Sequence, residues 1–154
     1  MRIAITGTPG TGKSEIAEKL GKEMGMKVFH LSKFAEKFSA GYDEKRKCII
    51  VDVERLAEYL KDEHGIFESH FSHLLPVDAI IVLRANPETL RERLKRRGWE
   101  EKKIEENVEA EIMEICLSES LETSKPVLQI DTTNAEVKEV VKKIKEWIKT
   151  LKLK

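Results

Sequence analysis

Gly7-Thr8-Pro9-Gly10-Thr11-Gly12-Lys13-Ser14 matches the pattern G-x-x-x-x-G-K-[ST] at every fixed position. Its flanks give it the context the pattern needs. Before it, Arg2–Ile5 reads as a short apolar strand; after it, a helical pattern runs from Gly12 to Gly25. Glycines let successive backbone N–H groups turn toward one point, and the positive end of the helix adds to their field. Such a loop holds an anion of fixed geometry. Gly7, Gly10, Thr11 and Gly12 therefore form a phosphate cradle, with Lys13 reaching the β- and γ-phosphates of ATP and the Ser14 hydroxyl ligating Mg²⁺.

Outward from the cradle, two kinds of segment alternate. Short apolar runs rich in β-branched residues occur at 3–5, 27–29, 66–67, 79–83 and 127–130. Runs that are hydrophobic without alternation fit parallel strands buried on both faces. Between them lie helical patterns. In the last, Val137, Val140, Val141, Ile144, Trp147, Ile148 and Leu151 form one stripe. Asn86-Pro87-Glu88 reads as a helix start, with an Asn cap and Pro at the first position. The pattern predicts a three-layer α/β/α fold with a five-stranded parallel sheet, formed by one domain over residues 1–154. Two stretches, 31–51 and 96–106, fit the layer plan poorly and are candidate excursions over the ligand end of the sheet.

Glu68 falls at the carboxyl end of the third apolar run, where a carboxylate beside the cradle can hold Mg²⁺ or its water shell. His70 shares that rim. Arg93 and Arg97 are four residues apart, on one helical face, just ahead of Gly98. An arginine pair before a glycine suits a lid that folds guanidinium groups onto a transferring phosphoryl group. A guanine-reading Asn-Lys-x-Asp is absent, which argues against a GTPase and toward a small kinase.

Composition narrows the rest. Lys plus Arg and Asp plus Glu balance at 28 each, so no net charge marks the chain for nucleic acid. Lys149, Lys152 and Lys154 make a locally basic end, read as a solvated helix terminus. Cys48 and Cys116 are distant from each other and fit free thiols. The longest aliphatic run, Ala79–Leu83, is too short to span a bilayer, and Met1–Gly7 has no signal-peptide character, so a cytoplasmic location and no membrane partner are expected. Charged residues make up 36% of the chain and Gln occurs once, the bias of a protein from a heat-loving source.

The whole set resembles the adenylate kinase isoenzyme 6 family, also called coilin-interacting nuclear ATPase. The motifs that carry the resemblance are the cradle, Gly41-Tyr42-Asp43-Glu44 with Cys48, Glu68-Ser69-His70, Val82-Leu83-Arg84, and Arg93-Leu94-Lys95-Arg96-Arg97-Gly98-Trp99, with Asn107 and Glu111-Ile112 beyond. The resemblance implies a nucleoside monophosphate kinase with a short lid, using ATP and AMP or another monophosphate and having appreciable ATPase activity. It also implies a part in maturation of the small ribosomal subunit and its rRNA, through a platform ribosomal protein with a basic tail. Carried over, it adds Glu15 to the ATP contacts, makes about 30–51 the monophosphate-binding segment with a short helix, and makes 96–106 the lid. Departures are Glu68 where the family usually has Asp, Lys33 and Lys37 around a usual Arg, and a trimmed stretch at 69–76. Two other readings are open: an ATP-driven ribosome-assembly switch, and another small-molecule kinase such as shikimate kinase. The latter needs an acidic pair where this chain has His30-Leu31-Ser32-Lys33.

Overall fold

Strand β1 (Arg2–Gly7) is the middle of a five-stranded sheet in a computed structural model that describes residues 1–44 and 48–151. The glycine loop delivers the chain to α1 (Lys13–Met24), which returns it to β2 (Val28–His30). A 3₁₀ turn at Leu31–Phe34 follows, then an antiparallel hairpin of β3 (Ser39–Asp43) and β4 (Cys48–Val51). Short helix α2 (Val53–Tyr59) leads to β5 (Gly65–Glu68), and a second 3₁₀ turn at Ser72–Leu74 to β6 (Ala79–Arg84). Helices α3 (Pro87–Arg96), α4 (Glu101–Ile112) and α5 (Ile115–Leu121) come next, before β7 (Val127–Asp131) and α6 (Val137–Thr150).

The sheet order is β2-β5-β1-β6-β7, every pair parallel. The strand order reverses at β1, so the loop after it opens at the crevice where such sheets bind ligands. All five expected strands are present and form the expected three-layer α/β/α arrangement. Both sheet faces are buried, which is why the strand sequences are continuously apolar. Ile3, Ile5, Ile81 and Leu83 pack under α1 and α6 with Leu20, Val141 and Ile144. Ala4, Phe67, Ile80 and Val82 face the other way, among Phe29, Leu31, Leu56 and Leu75. The expected α6 stripe is the buried one: Val140, Val141, Ile144 and Ile148 are its buried residues.

The 31–51 excursion differs from expectation. Instead of a helix, its described residues form the 3₁₀ turn and the hairpin; Lys45, Arg46 and Lys47 lie outside the described residues, as do Lys152 and Lys154 of the basic end. Ser39 to Tyr42 are exposed, so no buried apolar stripe exists there to wind a helix against. The stretch expected as the lid, 96–106, spans the end of α3, the turn after it and the first half of α4; the two helices form an arm around a small core of Ala85, Leu90, Leu94, Ile104 and Val108, with Trp99 against it. Asn86 caps α3 as its sequence implies, its Oδ1 accepting from the Thr89 N–H at 2.8 Å.

Phe67 is fully buried and stacks on Phe29 with centroids 5.0 Å apart, and the Arg2 guanidinium lies 4.5 Å from its ring centroid. Phe67→Ala is expected to destabilise the protein by about 3–5 kcal/mol in a denaturant titration. A loss below about 1 kcal/mol would mean that the face covered by α2 and the 3₁₀ turns is not a packed core.

Candidate functional site

The loop from Gly7 to Ser14 leaves β1 at the switch point and closes on the first turn of α1. Its tightness begins at Gly7, with φ of 149°, where a Cβ would lie 2.5 Å from the Leu83 carbonyl oxygen and 2.9 Å from Thr11 Oγ1. At the other end Gly12, in the left-handed region at φ 92°, caps α1 without a side chain, leaving the first N–H groups of the helix open to an anion. Inside the loop, Thr11 Oγ1 donates to the Thr8 carbonyl at 2.8 Å, and Lys13 Nζ donates to the same oxygen at 3.3 Å.

Two hollows meet at this loop. One, of about 310 Å³, is lined by Lys13, Ser14, Glu68, His70 and Arg97 on one side, and by Ser32, Ala35, Cys48, Ile49 and Val51 of the 31–51 excursion on the other. The second, of about 320 Å³, is a groove lined by Gly10, Thr11, Gly12, Glu15, Arg93 and Arg97 with Thr132, Ala135, Val137 and Val140. Every predicted site residue except Gly7 lines one hollow or both; Gly7 sits at the root of the loop.

The Lys13 ammonium is pushed down to about 8, chiefly because burial desolvates it; Glu68 and Glu111 pull the other way, and Arg97 adds repulsion. A bound polyanion would restore what burial removes. Glu68 is 6% exposed at the end of β5, beside Ile5 of β1. Its Oε1 accepts from Ser14 Oγ at 2.8 Å and from His30 Nδ1 at 2.7 Å, and His30 Nε2 pairs with Glu18. Desolvation works against charge on His30, but the two carboxylates prevail and raise its pKa. The hydroxyl and carboxylate oxygens of Ser14 and Glu68, side by side at the start of α1, are a hard donor pair. That pair suits Mg²⁺, which takes few protein ligands and keeps waters and phosphate oxygens for the rest. Among the described residues no group of three or more His, Cys, Asp or Glu could hold a metal ion by itself.

Arg97, at the end of α3, has an exposed side chain on both hollows. Arg93 is placed differently from its neighbour one turn on. Its guanidinium is half-buried and donates to the carbonyls of Gly10 (3.0 Å) and Thr132 (2.9 Å), pinning α3 to the loop and to the β7–α6 connection. Arg93 therefore borders the groove while its donors serve the backbone. His70 lines the first hollow, its ring edge-on to Phe71 with centroids 5.2 Å apart.

Four residues that matter here are not among the site residues expected from the sequence, although Glu111 belongs to a motif that carries the family resemblance. His30 is one. Thr132 is another: its Oγ1 donates to the Thr11 carbonyl at 2.8 Å, tying the second hollow's floor to the loop. His73, 1% exposed, holds Thr6 Oγ1 at 2.7 Å and Glu119 at 2.8 Å. Its pKa is lowered by desolvation against the pull of Glu119, so the neutral ring donates to Glu119 and accepts from Thr6. The fourth is Glu111, 3% exposed, whose carboxylate accepts from Thr8 Oγ1 and Arg84 Nε, both at 2.8 Å. Only Glu111 had a sequence signal: Ile104, Asn107, Val108 and Glu111 share the helical spacing of a buried stripe, and a carboxylate on such a stripe needs partners.

Residues 3–114 match the family model described as AAA domain. A protein named "Putative adenylate kinase" from Archaeoglobus fulgidus is 49% identical over 97% of this chain and 83% of its own length. One of the same name from Methanocaldococcus jannaschii is 43% identical over 97% and 86%. Among solved structures, deoxyadenosine kinase from M. mycoides with bound dATP superposes with a TM-score of 0.64 at 19% identity, covering 97% of this chain and all of that one. The YorR protein from Bacillus subtilis in complex with phosphorylated GDP gives 0.70 at 18%, covering 97% and 96%. At such identities these two matches establish the shared fold alone.

The Lys13 value has a measurable consequence. Free protein sheds this proton near pH 8, whereas a bound polyanion holds it on. The Lys13 contribution to the affinity for inorganic tripolyphosphate is therefore expected to be constant below about pH 7 and to fall by up to roughly tenfold per unit above pH 8, with proton uptake by the protein on binding that Lys13→Met removes. Calorimetry at pH 8.5 in two buffers of different ionisation enthalpy measures that uptake. In the unliganded protein the sign is opposite: the folded state binds this proton less tightly than the unfolded one, so Lys13 makes stability rise with pH from about 8 toward 10.5.

Proposed function

As a member of the P-loop nucleoside monophosphate kinase family, this chain, we propose, transfers the γ-phosphoryl group of ATP to AMP or a related nucleoside monophosphate. The observation that carries the reading is the first hollow: Lys13, Ser14 and Arg97 on one wall face a second wall from 31–51, leaving room for an acceptor opposite the phosphate loop. The groove bounded by Thr132, Ala135 and Val137 would take the adenosine end of ATP.

The acceptor of the reaction is a phosphate oxygen, already ionised at neutral pH, so no side chain has to remove a proton. It bonds to the γ-phosphorus as the bond to the β-bridging oxygen breaks, and ADP leaves with that electron pair. Catalysis then rests on position and charge. Backbone N–H groups from Gly10 to Ser14 would hold the β-phosphate, with Glu15 bordering the same groove. Lys13 would bridge β- and γ-oxygens, and Arg97 would swing onto the transferring group as the α3–α4 arm closes and excludes water. Ser14 and Glu68 would hold Mg²⁺ directly or through its waters; bound there, the ion supplies positive charge to phosphate oxygens. Arg93 would act on ATP only through the shape of the loop.

A slower hydrolysis of ATP belongs to the same proposal, with Glu68 and His70 orienting water. One observation favours a larger share for it. Among the described residues lining the hollow, Lys13 and Arg97 are the only cations, both on the donor side. Lys37 instead lies over the rings of Phe38 and Tyr59, 5.6 and 4.3 Å from their centroids. A weak grip on the acceptor phosphate would let water compete. The resemblance of the Arg97-Gly98-Trp99 segment extends the proposal to a cytoplasmic role in small-subunit maturation, with a basic-tailed ribosomal protein as partner. Among the described residues no helix is long and apolar enough to cross a membrane.

ADP formation from Mg-ATP, with and without equimolar AMP, tests the proposal. AMP is expected to raise ADP output well above hydrolysis alone; Lys13→Ala is expected to abolish both, and Arg97→Ala to lower kcat by roughly 10²–10³ while ATP affinity changes little. No response to AMP in the parent protein, with hydrolysis persisting, would replace phosphotransfer by the ATP-driven switch.

A further inference from the structure

The α3–α4 arm joins the rest of the protein at two chain crossings, Ala85 going in and Glu111 coming out, and both meet at one carboxylate. Glu111 Oε2 accepts from the Ala85 N–H at 3.0 Å and from Arg84 Nε at 2.8 Å. Its Oε1 accepts from Thr8 Oγ1 at 2.8 Å. Arg84 closes the ring by donating to the Glu111 carbonyl at 3.1 Å, to Glu114 at 2.9 Å and to Gln129 at 3.0 Å. Its guanidinium is held fully charged: desolvation opposes, but the Glu111 and Glu114 hydrogen bonds raise its pKa.

Thr8 and Glu111 are both almost wholly buried, at 3% exposure each. A buried ionised carboxylate with three donors is tightly positioned, because moving it away would strand its charge and leave the Thr8 hydroxyl unpaired. The position of the arm and the shape of the phosphate loop are therefore linked through one group. We infer that Glu111 is a positioning residue that couples the phosphate loop to the lid arm through the Thr8 hydroxyl, so that filling the loop biases the arm toward closure. Thr8 is the sender, because it lies in the loop between Gly7 and Gly10; Ala85 is the receiver, because it is where the arm begins. The inference rests on the kinase reading only in requiring an arm that closes over bound nucleotide.

Glu111→Ala would remove the one carboxylate that Arg84 Nε, the Ala85 N–H and the Thr8 hydroxyl share, and threatens folding, so the informative change is at the Thr8 end of the bond. Thr8→Val keeps the shape and removes the donor; Thr8→Ser restores the donor. Trp99 sits at the tip of the arm, and in a Trp147→Phe background it is the sole tryptophan and reports arm position by its fluorescence. Melting curves are expected to show all variants folded. For Thr8→Val the calorimetric Kd for Mg-ATP is expected within about threefold of the parent, while the Trp99 response to saturating Mg-ATP falls by half or more and kcat for ADP formation drops roughly tenfold. Thr8→Ser is expected to recover both. A parental Trp99 response in Thr8→Val overturns the coupling, and so does a serine variant as impaired as the valine one, or a Trp99 signal that never responds to Mg-ATP in the parent. The fluorescence comparison decides the matter whether or not AMP accepts phosphoryl in the parent, so the coupling and the kinase reading can fail separately.

Discussion

The closest approach that the site depends on is between two backbones, at Gly7 and Leu83. The two residues are register partners in the β1–β6 ladder, and the carbonyl of Leu83 occupies the space where a Cβ of Gly7 would be. Because the strands stay this close to the very end of β1, the chain turns immediately above the sheet and α1 starts with its N–H groups aimed at the crevice. Lys13 and Ser14 are on the first turn of that helix. Glu68 reaches Ser14 because β5 runs in register on the other side of β1. A side chain at position 7 would push the loop off the β6 edge and separate the parts on either side of it.

Charge around the loop is arranged to be incomplete. Arg84, Glu111 and Glu114 satisfy one another, and His30 is engaged by Glu18 and Glu68. Among the described residues Lys13 donates to a carbonyl at 3.3 Å, and the cation of Arg97 nearby makes its protonation harder, against the pull of Glu68. Two cations on one side of a hollow, one of them desolvated, raise the energy of the empty state and lower that of a state containing a phosphate chain. The acceptor wall has no matching charge among its described lining residues, so donor and acceptor sides are unequal in electrostatic strength.

How far the sequence discloses this structure follows from how local each feature is. The phosphate loop is a single contiguous run whose fixed positions are each needed for a backbone reason, and it is readable at sight. The five sheet strands are nearly as plain, since burial on both faces leaves no room for polar residues at Ile3–Ile5 or Ala79–Leu83. The β3–β4 hairpin was missed for the opposite reason: exposed Ser39, Ala40, Gly41 and Tyr42 have no apolar alternation to announce a strand. The site roles that the sequence did not disclose, those of His30, His73, Glu111 and Thr132, depend on partners far along the chain; Thr8 and Glu111 are 103 residues apart. Nothing in the spacing of either residue encodes the other, and even the telltale glutamate on the α4 stripe names no partner.

The same distinction separates what is fixed in this fold from what can move. Apolar side chains hold α1 and α6 to the sheet, whereas Leu90, Leu94, Ile104 and Val108 of the α3–α4 arm form a core apart from the two sheet faces, with Leu90 and Leu94 set against Gly10 of the phosphate loop. Its other attachments are polar and directional: Arg93 on the Gly10 and Thr132 carbonyls, and Glu111 on Thr8, Arg84 and Ala85. A packed apolar interface resists sliding in every direction, because any displacement opens a void. Hydrogen bonds around Ala85 and Glu111 hold through direction and charge rather than through packed area. An arm with a small core of its own, held largely by such bonds, is the construction that the proposed lid over the phosphate loop would require.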